Sequence, residues 1–182
     1  LAKRRTSVRV LNTIQPMTID PTAAPAQNYA SYPSLVDRSV FITGGADGIG
    51  AGMVEQFVGQ GSRVGFADIQ AERGAQLVEV LNATNPRHTP RSYDIDLIDI
   101  GALQAGIAQA QTDLDGIEVL VNNAASDDRH TWDEVSAEYW DDRMNVNLRH
   151  YFFAIQAVAR GMLDAGRGSI VNIGSSSYMM QE

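Results

Sequence analysis

The feature that most constrains this chain is an apolar strand that runs directly into a glycine-rich turn and then into a helix. The strand is predicted over residues 39–43, and the turn and first helical residues follow as Gly44-Gly45-Ala46-Asp47-Gly48-Ile49-Gly50. Gly44 lets the chain turn sharply, Gly48 lets the backbone approach a ligand closely, and Gly50 lets the helix pack on the strand. The first turn of a helix carries unpaired N–H groups and the positive end of its dipole. This layout predicts a cradle for a pyrophosphate.

A tight turn without a ligand is the other interpretation of the glycines, and the elements that follow weigh against it. The helix is expected to end at Gly61 and to bury one face, made of Ile49, Met53, Val54, Phe57 and Val58. A second strand over 63–68 then ends at Asp68. About twenty residues past such glycines, a carboxylate can bind both hydroxyls of an adenosine ribose and repel a 2′-phosphate. Asp68 therefore predicts NAD rather than NADP, the alternative being a solvated loop acid.

Helices and strands continue to alternate along the rest of the chain. The patterns predict helices over 71–82, 100–114 and 132–165, and strands over 88–94, 117–121 and 169–173. Five strands alternating with four helices predict an α/β fold, a Rossmann-type doubly wound parallel sheet with ligands at the carboxyl ends of its strands. Four polar residues come at or just after such ends and are candidate site residues: Asp94, Asn122, Asn123 and Ser175.

The composition fits one globular domain with small-molecule partners. The chain has 182 residues, 44% of them hydrophobic, and a formal net charge of −8. The acidic balance argues against a nucleic-acid surface, and no apolar stretch reaches the ~20 residues that cross a bilayer. There is no cysteine and there are only three histidines. We therefore expect no metal site and a reducing compartment, the cytoplasm.

The first part of the chain differs from the rest. Prolines at positions 16, 21, 25 and 33 lie among Ala, Thr, Ser and Asn. This composition is typical of an extended or disordered arm. We predict a flexible arm over residues 1–38 and an NAD-binding domain over 39–182.

Several motifs resemble those of the short-chain dehydrogenase/reductase family, over residues 33–182. The turn from Thr43 to Gly50 fits TGxxxGxG, Asp68 fits the acidic residue that selects NAD, and Asp94-Ile95 is similar to the pair that contacts adenine. Asn122-Asn123-Ala124-Ala125 resembles the family's NNAG segment, with alanine in place of the glycine. The resemblance implies a cofactor site built from Thr43, Gly44, Asp47, Gly48, Ile49, Gly50, Asp68, Asp94, Ile95, Asn122, Asn123 and Ala124.

The resemblance also implies two catalytic residues. Asn147 is similar to the asparagine that interrupts the family's long helix and holds a water of the proton relay, and Ser175 to the serine that hydrogen-bonds the substrate oxygen. A helix-surface amide and a serine-rich loop are the alternatives. The family's Tyr-x-x-x-Lys is not met, because the residue four positions after Tyr178 is Glu182. We therefore expect a chain that is truncated after the fifth strand and inactive as a fragment.

The segments over 122–130 and 139–150 are more narrowly similar to the NAD-dependent D-xylose 1-dehydrogenases of the family. This similarity implies oxidation of an aldose such as D-xylose to its lactone, or of another secondary alcohol, by hydride transfer. A short-chain reductase of another substrate, such as a 3-oxoacyl thioester, and a non-catalytic NAD-binding module are the alternatives. In the family the long helix helps form a subunit interface, so we expect a homo-oligomer.

Overall fold

The elements of the chain alternate in the predicted order. The structure is a computed structural model that describes residues 30–128 and 130–175. Its elements are a 3₁₀ turn Pro33–Leu35, β1 Ser39–Thr43, α1 Gly48–Gly59, β2 Arg63–Asp68, α2 Ala71–Ala83, β3 Arg91–Asp94, α3 Ile100–Leu114, β4 Val119–Asn122, α4 Ala137–Met144, a π-helical segment Asn145–Arg149, α5 His150–Asp164 and β5 Ser169–Asn172.

The described strands form one parallel sheet in the order β3-β2-β1-β4-β5. From the central strand β1 the chain adds β2 and β3 on one side, and then crosses to the other side of β1 to add β4 and β5. This arrangement confirms the Rossmann-type doubly wound fold, complete as far as its fifth strand. Because all strands point the same way, Thr43, Asp68, Asp94 and Asn122 end their strands at the same edge of the sheet.

Both faces of the sheet are covered by helices, as a parallel sheet requires. Successive residues of β1 serve opposite faces, Phe41 one and Val40 and Ile42 the other. On Phe41's side lie α3 and α5, with the buried side chains Leu103, Ile107, Leu114, Leu120, Ala154 and Val158. On the other side lie α1 and α2, with Val54, Val58, Val64, Phe66, Leu77, Leu81 and Val121. Each large buried side chain contributes about 1.5–3 kcal/mol, so these clusters hold the sheet edge in place.

The prediction for the buried face of α1 is wrong at one residue. Val54 and Val58 are buried, and Met53 and Phe57 are half-buried against the same cluster. Ile49, in contrast, is 72% exposed. It lies in the first turn of α1 and lines the cavity described below, so it faces that space and not the sheet.

Other predicted boundaries also need correction, among them the start of β4, which is Val119 and not residue 117. Strand β3 begins at Arg91 and not at residue 88, since Pro90 has no N–H to donate to the sheet and His88 bonds to Asp37 (Nε2 to Oδ1, 2.6 Å).

The predicted helix over 132–165 begins five residues later and is divided. Trp132 is 88% exposed in a turn before α4. Ser136 caps the helix by accepting a hydrogen bond at its hydroxyl from the N–H of Tyr139 at 3.1 Å. Further along, the π-helical segment separates α4 from α5.

The described part of the predicted arm, residues 30–38, contacts the end of α1. The N–H of Tyr32 donates to Gln60 Oε1 at 2.8 Å, and Gln60 Nε2 donates to the carbonyl of Ala30 at 2.9 Å. Ser62 Oγ donates to the carbonyl of Leu35 at 2.8 Å. Residues 1–29 lie outside the described part of the chain, and the division at residue 38 stays a prediction. None of the helices described has the length and apolar character needed to span a bilayer.

Candidate functional site

A cavity of about 500 Å³ opens at the carboxyl edge of the sheet. It is bounded by the loops that follow β1, β2, β3 and β4 and by the start of the π-helical segment. The lining residues are 44, 47–50, 68–70, 95–98, 123–126 and 146. This is the place where an open parallel sheet binds a nucleotide.

The glycine-rich turn forms the floor of this cavity. Gly44 and Gly48 have φ values of 69° and 55°, the left-handed region that favours glycine. A Cβ on Gly50 would lie 1.7 Å from the carbonyl oxygen of Gly44, so only glycine fits there. Asp47 caps α1 by accepting from the N–H of Gly48 at 2.8 Å, and its carboxylate also pairs with Arg73. The first three residues of α1, 48–50, line the cavity.

Asp68 lies in the same cavity and holds the turn in place. One carboxylate oxygen accepts from the N–H of Ala46 at 2.9 Å, and the other accepts from the N–H of Gln70 at 3.0 Å. A carboxylate offers about four lone-pair sites, so two donors leave it able to accept further hydrogen bonds. Asp68 can therefore fix the turn and bind a pair of hydroxyls at once.

Thr43 and Asn123 join the ends of β1 and β4. Thr43 Oγ1 accepts from the N–H groups of Asn123 and Ala124 at 3.0 and 3.2 Å. Asn123 Nδ2 donates to the carbonyls of Thr43 and Gly44 at 3.1 and 3.0 Å. Asn123 and Ala124 line the cavity, whereas Thr43 is fully buried beneath it.

Three other predicted residues lie at this edge. Asn122 is fully buried and donates through Nδ2 to Asn172 Oδ1 of β5 at 2.9 Å, so it lies beneath the cavity. Asp94 is exposed at the end of β3 and does not line the cavity, whereas its neighbour Ile95 does. Asp96 also lines the cavity, and the motif comparison missed it although it directly follows Ile95.

Asn147 lies in the π-helical segment and not on an ordinary helix surface. Its Oδ1 accepts from the N–H of Ser126 at 2.8 Å, and its Nδ2 donates to the carbonyl of Ser126 at 3.2 Å. A π-helical turn widens a helix locally and is frequent at functional sites. Here it brings the amide against the loop after β4, beside the cavity.

Ser175 follows β5 and is exposed. Helix α5 reaches this strand end, because the hydroxyl of Tyr151 donates to the carbonyl of Ile173 at 3.0 Å. Asn147 precedes Tyr151 by one helical turn, so it lies at the same end of the sheet as Ser175. Neither Asn147 nor Ser175 lines the cavity itself. Tyr178 lies outside the described residues.

A polar cluster beside Ser126 escaped the sequence analysis. Arg143 Nη1 donates to Ser126 Oγ at 2.8 Å and to Asp128 Oδ2 at 2.6 Å. Its guanidinium lies 5.4 Å from the centre of the Tyr139 ring, and the Tyr139 hydroxyl bonds to His130 Nδ1 at 2.9 Å. Helical spacing offers the one available signal, since Tyr139, Arg143 and Asn147 share a face at i, i+4 and i+8. Arg129 lies outside the described residues.

His150, the first residue of α5, is fully buried. Burial lowers its pKa from 6.5 to about 4, opposed by the backbone carbonyls of Val146 and Asn145 that face the ring. Neither ring nitrogen reaches good hydrogen-bond geometry with another described atom. The imidazole is therefore neutral at pH 7 and packs edge-on against Tyr151, with ring centroids 4.6 Å apart.

The glycine turn, the acidic residue after β2 and the polar segment after β4 together define a class of dinucleotide-binding protein. The chain belongs to the short chain dehydrogenase family, whose sequence model matches residues 38–181. Proteins of this family bind a nicotinamide cofactor.

Two relatives support the narrower resemblance to sugar dehydrogenases. The chain is 44% identical over 151 residues to the probable galactose dehydrogenase GalD of Rhizobium meliloti, covering 83% of this chain and 59% of that protein. It is 45% identical over 150 residues to the D-xylose 1-dehydrogenase of Caulobacter vibrioides, covering 82% and 58%.

A solved structure gives the same fold. A short-chain dehydrogenase/reductase from Serratia marcescens superposes with a TM-score of 0.72 at 29% identity, over 82% of this chain and 60% of that one. The chain thus spans about 60% of the length of each of these three proteins.

Proposed function

We propose that this chain is the NAD-binding portion of a dehydrogenase that oxidises an aldose at C1 to its lactone. The observation that carries the proposal is the Asp68 carboxylate, which lies in the cavity beside the glycine turn and the N-terminus of α1. The names of the two sugar-dehydrogenase relatives supply the substrate class.

The residues at the edge of the sheet fit a dinucleotide that lies across it. Asp68, after β2, would bind the adenosine ribose hydroxyls, and Ile95, after β3, would contact the adenine. The pyrophosphate would lie on the N–H groups of residues 49 and 50, which line the cavity, since the N–H of Gly48 already bonds to Asp47. With the adenosine on the β2 side of β1, the nicotinamide end would lie toward the loop after β4.

The chemistry divides between the cofactor and the protein. NAD, when bound, accepts the hydride that leaves C1 as the C–O bond becomes a carbonyl. The protein must hold the sugar hydroxyl and accept its proton. Ser175 would bind the reacting oxygen, and Asn147 would order a water beside it. A tyrosine takes such a proton at neutral pH only when a cation lowers its pKa from about 10, and no Tyr-x-x-x-Lys occurs within the 182 residues. We therefore propose that residues 1–182 bind NAD without turning over sugar.

Titration with NADH tests the cofactor assignment. Binding to the purified chain should change the nicotinamide fluorescence of NADH, and this change should saturate. NADPH should bind at least tenfold more weakly than NADH, because the negative charge of Asp68 repels its 2′-phosphate. Asp68→Asn should weaken NADH binding by about tenfold, about 1.4 kcal/mol, and narrow the preference between the cofactors.

Glu79→Gln, which removes an exposed carboxylate on α2, is the matched control and should change neither affinity. Equal binding of NADH and NADPH would contradict the assignment of NAD. Assays of the complete gene product with aldoses then test the substrate. NADH binding without turnover of any sugar or alcohol would favour the non-catalytic NAD-binding module.

We also propose a homo-oligomer that forms through α4 and α5. Four large apolar side chains repeat every four residues along this helix pair and are between 39% and 63% exposed: Trp140, Met144, Leu148 and Phe152. A contiguous apolar stripe of this kind marks a protein interface more often than open surface. A cytoplasmic location remains a prediction from the cysteine-free sequence.

A further inference from the structure

Ser126 is fixed at its backbone and at its side chain by the helix that faces it. Asn147 bonds to both its N–H and its carbonyl, at 2.8 and 3.2 Å. Arg143 Nη1 donates to its hydroxyl at 2.8 Å. Ser126 also lines the cavity. Loop residues held at three atoms have little freedom left, which is how binding sites keep a polar group in one orientation.

The partner of the Ser126 hydroxyl determines where its proton points. A guanidinium can only donate hydrogen bonds, so Ser126 Oγ must be the acceptor in the bond with Arg143. The hydroxyl proton is therefore directed to a different acceptor. Arg143 has little freedom to turn away, because it also bonds to Asp128 and Asp142 and lies over the Tyr139 ring. Its side chain is only 21% exposed.

Ser126 lies in the loop after β4, at the sheet edge where a bound dinucleotide would present its reacting end. It follows β4, which lies between β1 with the glycine turn and β5 with Ser175. A dinucleotide whose adenosine lies at Asp68 on the other side of β1 directs its reacting end toward these loops. Sugars present several hydroxyl oxygens that need donors once water is displaced.

We propose that Ser126 donates a hydrogen bond to a hydroxyl oxygen of the bound aldose, and that Arg143 is the positioning residue that orients it. This inference rests on the proposed function. Ser126 thus acts in sugar specificity, separately from the proton transfer assigned to the family's catalytic residues.

The test is steady-state kinetics of the complete gene product with NAD and a panel of aldoses. Ser126→Ala should raise the KM for the preferred aldose about fivefold, the effect of one neutral hydrogen bond, with kcat and the KM for NAD unchanged. Deoxy sugars identify the bonded group. The aldose that lacks the hydroxyl bound by Ser126 should be used equally well by the wild type and by Ser126→Ala.

Arg143 is tested through its dependence on Ser126. Arg143→Lys keeps a cation but loses the planar geometry, so it should raise the sugar KM about threefold in the wild type and have no further effect in Ser126→Ala. Arg160→Lys, at an exposed ion pair on α5, is the control and should leave all parameters unchanged.

The outcomes separate this inference from the proposed function. A complete protein that oxidises no aldose overturns both. Two results with an active protein would overturn the inference alone. One is a sugar KM that Ser126→Ala does not change. The other is a ratio of KM values, variant to wild type, that is the same for every deoxy sugar tested. If Arg143→Lys raised the sugar KM by the same factor in the wild type and in Ser126→Ala, Arg143 would not act through Ser126.

Discussion

At the scale of single residues, His150 is a fully buried titratable group whose ring nitrogens make no good hydrogen bond to another described atom. A titratable ring is buried at the junction of the π-helical segment and α5, where its charged form would be poorly solvated. Burial lowers its pKa from 6.5 to about 4, so the folded protein resists protonation of this ring over a range in which the unfolded chain accepts the proton. Folding is therefore thermodynamically coupled to the protonation of His150.

The coupling predicts how stability depends on pH. A lowered folded pKa means that the contribution of His150 is fully present above pH 6.5 and is lost as the pH falls from 6.5 toward 4. The loss should reach up to about 3 kcal/mol at the acid end of this range. Urea denaturation of the wild type and of His150→Gln at intervals between pH 7.5 and 4.5 measures it, and the variant should show the shallower slope.

Val158→Ala is the control, because Val158 is a buried residue of α5 that loses packing when truncated and does not titrate. Its slope should match that of the wild type. The comparison uses slopes rather than absolute stabilities, so any packing loss in the His150 variant cancels. Parallel curves for wild type and His150→Gln would contradict the coupling.

At the scale of elements, the N-terminal half of α1 contains two glycines, Gly50 and Gly52, in different surroundings. A Cβ at Gly50 would collide with the Gly44 carbonyl and lie 2.8 Å from Asn123 Nδ2, whereas a Cβ at Gly52 would meet nothing within 4 Å. Both residues lie inside the same helix, so the gain in helix propensity from a glycine-to-alanine change is similar at the two positions. Only the surrounding atoms differ.

We expect opposite effects from alanine at these two positions. Gly50→Ala should destabilise the fold by about 3 kcal/mol or more and abolish NADH binding, because the glycine turn and α1 must separate. Gly52→Ala should be neutral or stabilise by up to about 1 kcal/mol. Thermal denaturation with an NADH titration measures both, and a Gly50→Ala protein that binds NADH normally would contradict the packing described at the turn.

The elements also show how far the sequence predicts this structure. The observed bounds of α3 agree with the prediction. Its start has a local signal in the sequence, Asp99, whose side chain accepts from the N–H of Ala102. The start of α4 was missed because the aromatic residue at position 132 extends the apolar pattern past the real cap at Ser136. Periodicity does not locate a π-helical segment, and there the signal came from the motif around Asn147.

The candidate site, like the fold, could be predicted from the sequence only in part. The sequence predicted that the glycine turn and Asp68 lie together, as they do in the cavity, because their spacing falls within one βαβ unit. The bond between Arg143 and Ser126 joins residues 17 positions apart, and it exists only because the loop after β4 folds back onto α4. No local pattern encodes that contact. Ile49 was misassigned for a related reason, since helical periodicity does not distinguish the sheet from a cavity.

At the scale of the whole molecule, the apolar stripe on α4 and α5 gives the next prediction. Phe152→Glu places a charge in the proposed interface and should convert an oligomer to smaller species, measured by light scattering coupled to size-exclusion chromatography. Val80→Glu, at a partly exposed residue on α2, is the control and should leave the mass unchanged. A wild type that is monomeric at all concentrations would contradict the proposed oligomer.

The position of β1 in the centre of the sheet has a consequence for synthesis. Its first neighbour, β2, follows within one helix, but β4 begins roughly 50 residues after β2 ends, about 3–10 seconds later at ordinary translation rates. During that interval one edge of β1, a strand that is buried at every position in the folded protein, has no partner, and closing the long connection is slow. The nascent chain is therefore most exposed to aggregation and to chaperones while α2, β3 and α3 are being made, so the folded yield should depend on the speed of translation through that stretch.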